Sequence, residues 1–189
     1  MERIRTEKNA YFKINLHSPL NEKGRTQFVK LNYYPIETKY RYEFKLEREE
    51  DPDTLIMATN TGEERKAIKY GFFLFQVDGK SLQLTVFQFV DSAEEKNLFI
   101  PFMDATNGKE TYGAGRYIDL RQNDTDRYVI DFNMAYNPYC AYNPIYSCPI
   151  PPSENRLDVA IRAGEKVFGH PWSFLFFTDV TAVICSSPS

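Results

Sequence analysis

The chain is poor in the residues that most often do chemistry. Among its 189 residues are two histidines, three cysteines and one tryptophan. A tetrahedral zinc site needs about four Cys or His ligands. Beside Cys140 and Cys148 only His17, His170 and Cys185 remain, close to the two ends of the sequence. Metal ligation and a Cys-His nucleophile pair are both disfavoured by that shortage, and no metal or cofactor is expected. An odd cysteine count does not suggest a secreted disulfide scaffold. No run reaches the roughly 18 apolar residues of a spanning helix. The N-terminus MERIRTEKNAYFKINL lacks the apolar stretch of a signal peptide, so the expected location is the cytoplasm. Excess positive charge is missing as well: the formal net charge is −3 and the pI about 5.5. A nucleic-acid surface needs a basic face, and Arg65-Lys66 with Lys69 reads as solvated strand surface. Repeats and low-complexity segments are absent.

What is abundant is aromatic. Fifteen Phe and thirteen Tyr favour β structure. The length suits one domain, with or without an appendage, and lets such a chain bury about 70% of its extended surface.

Helical spacing of Ile4, the Lys8 stem, Tyr11 and Phe12 predicts an N-terminal helix over Arg3 to Leu16. Ser18-Pro19 then reads as a cap followed by a first-turn proline, with Gly24 as the stop. From Phe28 the period changes to two. Tyr40, Tyr42, Phe44 and Leu46 alternate with charged residues, as in a half-buried strand. Asp51-Pro52-Asp53 breaks it, and a short strand over Leu55 to Thr59 leads into a turn at Asn60-Thr61-Gly62. Phe72 to Val77 and Lys80 to Phe89 flank Asp78-Gly79, a favoured two-residue hairpin turn. That register opposes Val77 to Lys80, Phe75 to Leu82 and Phe73 to Leu84, with Val86 continuing the core stripe. Asp91 to Asn97 reads as a charged loop, Leu98 to Met103 as a strand whose Pro101 places it near an edge or bulge, and Asp104 to Lys109 as a turn. Tyr112 to Leu120 and Tyr128 to Asn133 are expected to form a second hairpin around Asn123-Asp124. Leu157 to Arg162 reads as a closing strand.

The second hairpin carries the candidate site. Its register sets Arg116 opposite Asp131, Ala114 opposite Asn133, and Phe132 over Gly115. Two readings follow: a structural ion pair, or an Arg116 that holds an anionic group while Asp131 orients it. Gly113-Ala114-Gly115 lacks the third glycine and the following helix of a nucleotide fingerprint, and Gly108-Lys109 is not a phosphate loop. Cys140 and Cys148 sit in a proline-bearing loop. They read as packed thiols, as a reversible disulfide, or as metal ligands, in falling order. The carboxylates Asp104, Glu110, Asp119, Asp131, Glu154 and Glu165 show no spacing that singles out an acid-base pair. Tyr136, Tyr139 and Tyr142 are pocket-lining candidates, although packing is the commoner fate of such rings.

The stretches FIPFMDATNGKETYGAGRYIDL and DFNMAYNPYCAYNPIYSCPIPPSENRLDVAIRAGEK resemble the signature of an uncharacterised bacterial and archaeal family, domain of unknown function 1684. Weaker similarity runs upstream through SPL near Ser18 and YRYEF, so the resemblance spans about Arg3 to Lys166. It implies where a site lies and supplies no activity. The tail after Lys166 departs from the family pattern.

The expected fold is mainly β: a bent antiparallel sheet, open barrel or sandwich built from hairpins, with an N-terminal α-helix. One β-rich domain is expected over 1–168, with a helical segment over 1–24, a β core over 28–166 and an appendage over 169–189. The expected function is binding of a small anionic molecule. The site residues would be Tyr112, Arg116, Asp131, Asn133, Tyr136, Asn137, Cys140, Tyr142, Cys148 and Asn155. The alternatives are an enzyme using Cys140 or Cys148 as a reactive thiol, and an interaction module whose apolar tail contacts another subunit.

Overall fold

The computed structural model describes residues 1–90 and 96–169. Most of the expected charged loop and the C-terminal tail, with its proposed subunit contact, lie outside the described residues. Helix α1, Glu2–Ile14, has Glu2 in its first turn and Lys13 in its last, matching the helix dipole. It buries Phe12. Ser18 does not cap a helix. Its hydroxyl donates to Phe12 O at 2.8 Å and accepts from Leu20 N at 3.2 Å, which ties the chain back onto α1. Helix α2, Glu22–Gln27, is capped by Asn21, whose side chain accepts from Gly24 N. Gly24 therefore lies inside the helix and does not end it.

Among the described residues eight strands follow: β1 (Arg41–Lys45), β2 (Glu47–Arg48), β3 (Thr54–Ala58), β4 (Glu64–Val77), β5 (Lys80–Phe89), β6 (Asn97–Phe102), β7 (Arg116–Arg121) and β8 (Arg127–Asp131). The pairings between these strands are antiparallel. The large sheet runs β2-β4-β5-β6-β7 with β3 also on β4, and β1 with β8 forms a separate ribbon. The large sheet stays open and does not close into a barrel. The β4–β5 hairpin has the expected register, Val77 to Lys80, Phe75 to Leu82 and Phe73 to Leu84. Asp78 and Gly79 both take positive φ, 50° and 78°, as the tight turn requires. Phe73, Leu84 and Val86 are buried in the main core with Ile100, Phe102, Ile118, Ile130 and Phe132. Phe12, Leu20, Phe28 and Leu31 form a second cluster where the N-terminal helices pack.

Three further expectations are corrected. The expected second hairpin does not exist: β7 pairs with β6, and β8 pairs with β1. Residues 122–126 pass the chain from one sheet to the other. Asn123 Oδ1 accepts from Thr125 N, Asp126 sits at φ 53°, and Asp126 O accepts from Leu46 N. The turn chemistry was real, but its flanking strands found more distant partners. Arg116 and Asp131 are thus not opposed, Ala114 and Asn133 are not paired, and Phe132 packs on Phe102 rather than over Gly115.

Leu157 to Arg162 alternates in burial, yet it bends at Asp158 and Val159 and joins no ladder. Pro101 lies within an interior strand, where it pairs with Tyr117. There β5 and β6 share only the Phe87–Phe99 pair. The Asn155 side chain fills the gap. It accepts from Thr85 N and donates to Thr85 O and Pro101 O, all within 2.8 Å. A proline fits because a side-chain amide replaces the strand it cannot bond.

Candidate functional site

Arg116 is the first buried charge centre. It begins β7 directly after Gly115, whose φ of +98° favours glycine. A Cβ at that position would meet Pro151 Cγ at 2.6 Å and Phe102 O at 2.7 Å. The Arg116 side chain is 0% exposed and meets the equally buried Asp104 at 2.7 Å. Both Nη groups also donate to backbone carbonyls, Nη2 to Ile161 O at 2.9 Å, Nη1 to Ala163 O and, at 3.2 Å, to Glu165 O, while Nε is left without a partner. These carbonyls belong to alternate residues of the 157–165 segment. The guanidinium therefore satisfies carbonyls of a segment whose other backbone bonds run to Met103, Ala105, Tyr34 and Ala135. It is fully enclosed and cannot reach a ligand.

Glu165 is the second centre. Its side chain is 1% exposed and receives four donors. Lys8 Nζ reaches Oε1 at 2.5 Å and Tyr33 Oη reaches it at 3.1 Å. Tyr142 Oη and Asn137 N reach Oε2 at 2.5 and 2.9 Å. Burial first, then the carboxylate beside them, pushes the Tyr33 and Tyr142 hydroxyls well above the ordinary phenol range. Lys8 keeps 26% of its side chain exposed and lies 4.9 Å from the Tyr136 ring centroid.

This centre opens into a recess of about 260 Å³, lined by Arg5 and Lys8 of α1, Ile118 and Asp119 of β7, and Tyr33, Asn133, Tyr136 and Glu165. Arg5 is half-buried in its wall. It donates to Tyr34 O at 2.8 Å and to Asn133 O at 3.4 Å, lies over the Tyr33 ring, and leaves Nε without a partner. Tyr136 Oη donates to Asp119 Oδ2 at 2.6 Å. Burial of its surroundings raises the Asp119 carboxyl above its ordinary value, although the residue is exposed at the rim and solvent screens the effect.

A third group lies apart. The Cys140 backbone N–H donates to Cys148 Sγ at 3.3 Å, and Tyr112 Oη is 3.8 Å from Cys140 Sγ. The hydrogen bond from Cys148 is the main cause that lowers the Cys140 thiol to about 7. The same bond and burial push the Cys148 thiol up. Burial, then Cys140, pushes Tyr112 up to about 12.

The expected site residues thus divide. Asn133 and Tyr136 line the recess, and Asn137 and Tyr142 hold Glu165. Asp131 orients Asn133 through bonds to its N and Nδ2 at 3.0 and 2.8 Å. Tyr112, Cys140 and Cys148 form the thiol group, while Arg116 and Asn155 are internal struts. Arg5, Lys8, Tyr33, Asp119 and Glu165 were missed as site residues. Lys8 carried a signal: a lysine on the apolar stripe of a helix needs a carboxylate beneath it. Glu165 had no mark among many acids until the fold met α1.

The chain matches the model of a family described as protein of unknown function (DUF1684) over residues 26–166. The chain belongs to this family. For this DUF1684 member none of the curated proteins matches. It is similar to the solution NMR structure of an uncharacterized protein of Haloarcula marismortui. The TM-score is 0.68 and the identity 33%, covering 87% of this chain and 91% of the other. The match begins after α1, so the family signature includes Glu165 and Tyr136 but not Arg5 or Lys8. Among the described residues, no helix is long and apolar enough to cross a membrane.

Proposed function

We propose that this domain binds a small molecule bearing an anionic group in the recess beneath α1. Arg5 carries the reading. It is a half-buried guanidinium whose hydrogen bonds go to two neutral carbonyls, and its Nε has no partner. Both acceptors of its Nη groups are neutral, so an incoming carboxylate or phosphate would give the guanidinium a charge-assisted acceptor. Lys8, one turn further along α1, adds a second cation at the rim, and the Tyr33 and Tyr136 rings offer apolar walls. The recess lies just below the usual range for drug-sized ligands, about 300–1,000 Å³, and fits a small metabolite. The reading keeps the anionic ligand expected from the sequence and moves its anchor from Arg116 to Arg5. A thermal-shift panel of small carboxylates and phosphate monoesters tests it. At least one compound should stabilise the parent protein and stabilise Arg5→Gln much less. No shift from any compound, or equal shifts in both proteins, would overturn the reading.

A further inference from the structure

We propose that Cys140 and Cys148 form a hydroperoxide-sensitive dithiol, which closes on oxidation into a disulfide spanning the loop 141–147. Both thiols are free, and the Cys148 sulfur lies against the Cys140 backbone across that loop. The Cys140 N–H already points at Cys148 Sγ, at 3.3 Å. Both backbones are held in place. Cys140 lies in a 3-10 turn over Tyr139–Ala141, and Cys148 N donates to Asn60 Oδ1 at 2.6 Å. The Cys148 sulfur is therefore brought to Cys140 by the fold and not by chance collision of a loose loop.

The two cysteines differ in a way that assigns roles. Cys140 is half-buried, with Tyr112 Oη beside its sulfur, whereas Cys148 is 8% exposed. The accessible sulfur with two donors around it is the one stabilised as thiolate and so the attacking group. Cys140 thiolate attacks one oxygen of a hydroperoxide, and the O–O bond breaks. The sulfur loses two electrons and becomes a sulfenic acid, and the peroxide is reduced to an alcohol or water. The Cys148 sulfur then attacks the sulfenic sulfur. The S–S bond forms as the S–O bond breaks, and the departing hydroxide takes the Cys148 proton and leaves as water. A small dithiol reverses the step by exchange.

Closure would hold the loop that delivers Tyr142 to Glu165 and Asn143 to Pro19 O. The inference stands on the thiol geometry and does not depend on the recess binding a ligand.

The test uses the full chain with Cys185→Ser, so that only these two thiols remain. After hydrogen peroxide or cumene hydroperoxide, non-reducing peptide mapping should show Cys140 joined to Cys148 within one chain, reversible by dithiothreitol. In Cys148→Ser, dimedone should trap a sulfenic acid at Cys140. In Cys140→Ser, peroxide consumption should be slower by about tenfold or more. Thiols that both still alkylate with iodoacetamide after oxidation, disulfides found only between chains, or equal dimedone capture at the two positions would overturn the proposal. Should Cys148→Ser fail to fold, the peptide map of the chain retaining both cysteines still decides.

Discussion

Two buried ion pairs lie on either side of residues 161–165, and they do different work. Arg116–Asp104 is sealed at 0% exposure on both sides, with three backbone carbonyls around the guanidinium. Lys8–Glu165 has one sealed partner and one that reaches solvent. A charge enclosed by backbone acceptors is a strut, because nothing else can approach it. A charge with one open side can exchange its water for a ligand. The contrast explains why the sealed arginine carries the fold while the open side carries the proposed site.

The sharpest way to break the comparison is Arg116→Ala. It strands the Asp104 carboxylate and leaves three carbonyls unpaired, and should lose about 3–5 kcal/mol in urea unfolding. A loss below about 1 kcal/mol would refute the strut. Gly115→Ala comes next, because the new Cβ would press on Pro151 and the Phe102 carbonyl in a left-handed backbone. It should lose about 1–3 kcal/mol by the same measurement. Lys8→Met should lose only about 1 kcal/mol, since Lys8 is partly solvated and Glu165 keeps Tyr33, Tyr142 and Asn137 as donors. A loss as large as that of Arg116→Ala would erase the distinction.

The smallest effect is in pH. Folding raises the Tyr33 and Tyr142 hydroxyls, so the unfolded chain ionises first. Their stability contribution is fully present below about pH 10 and is lost as pH rises past it. Tyr142→Phe should flatten that alkaline decline in thermal melts recorded between neutral pH and pH 11. An unchanged slope would show that Glu165 does not depend on the phenol.

The β4–β5 hairpin was legible because its information is local. Asp78-Gly79 suits the turn, and a two-residue loop leaves one register. The same reasoning failed at Asn123-Asp124. An Asx turn forms there, but β7 gains more by pairing with β6, and β8 by pairing with β1, which precedes it by some 80 residues. Asn155 and Pro101 show the same limit. Neither residue alone says that a side-chain amide will replace a ladder bond.

By itself the chain determined its β-rich class, its first hairpin, its helical N-terminus and the family signature that holds most of the polar centres. Each of these depends on neighbours close in sequence or on a motif read as a whole. Only the tertiary structure decided that Arg116 meets Asp104 and not Asp131, and that Lys8 meets Glu165 across 157 positions. A buried charge takes whichever partner the packed core brings within reach, and strand order sets that partner, not sequence spacing.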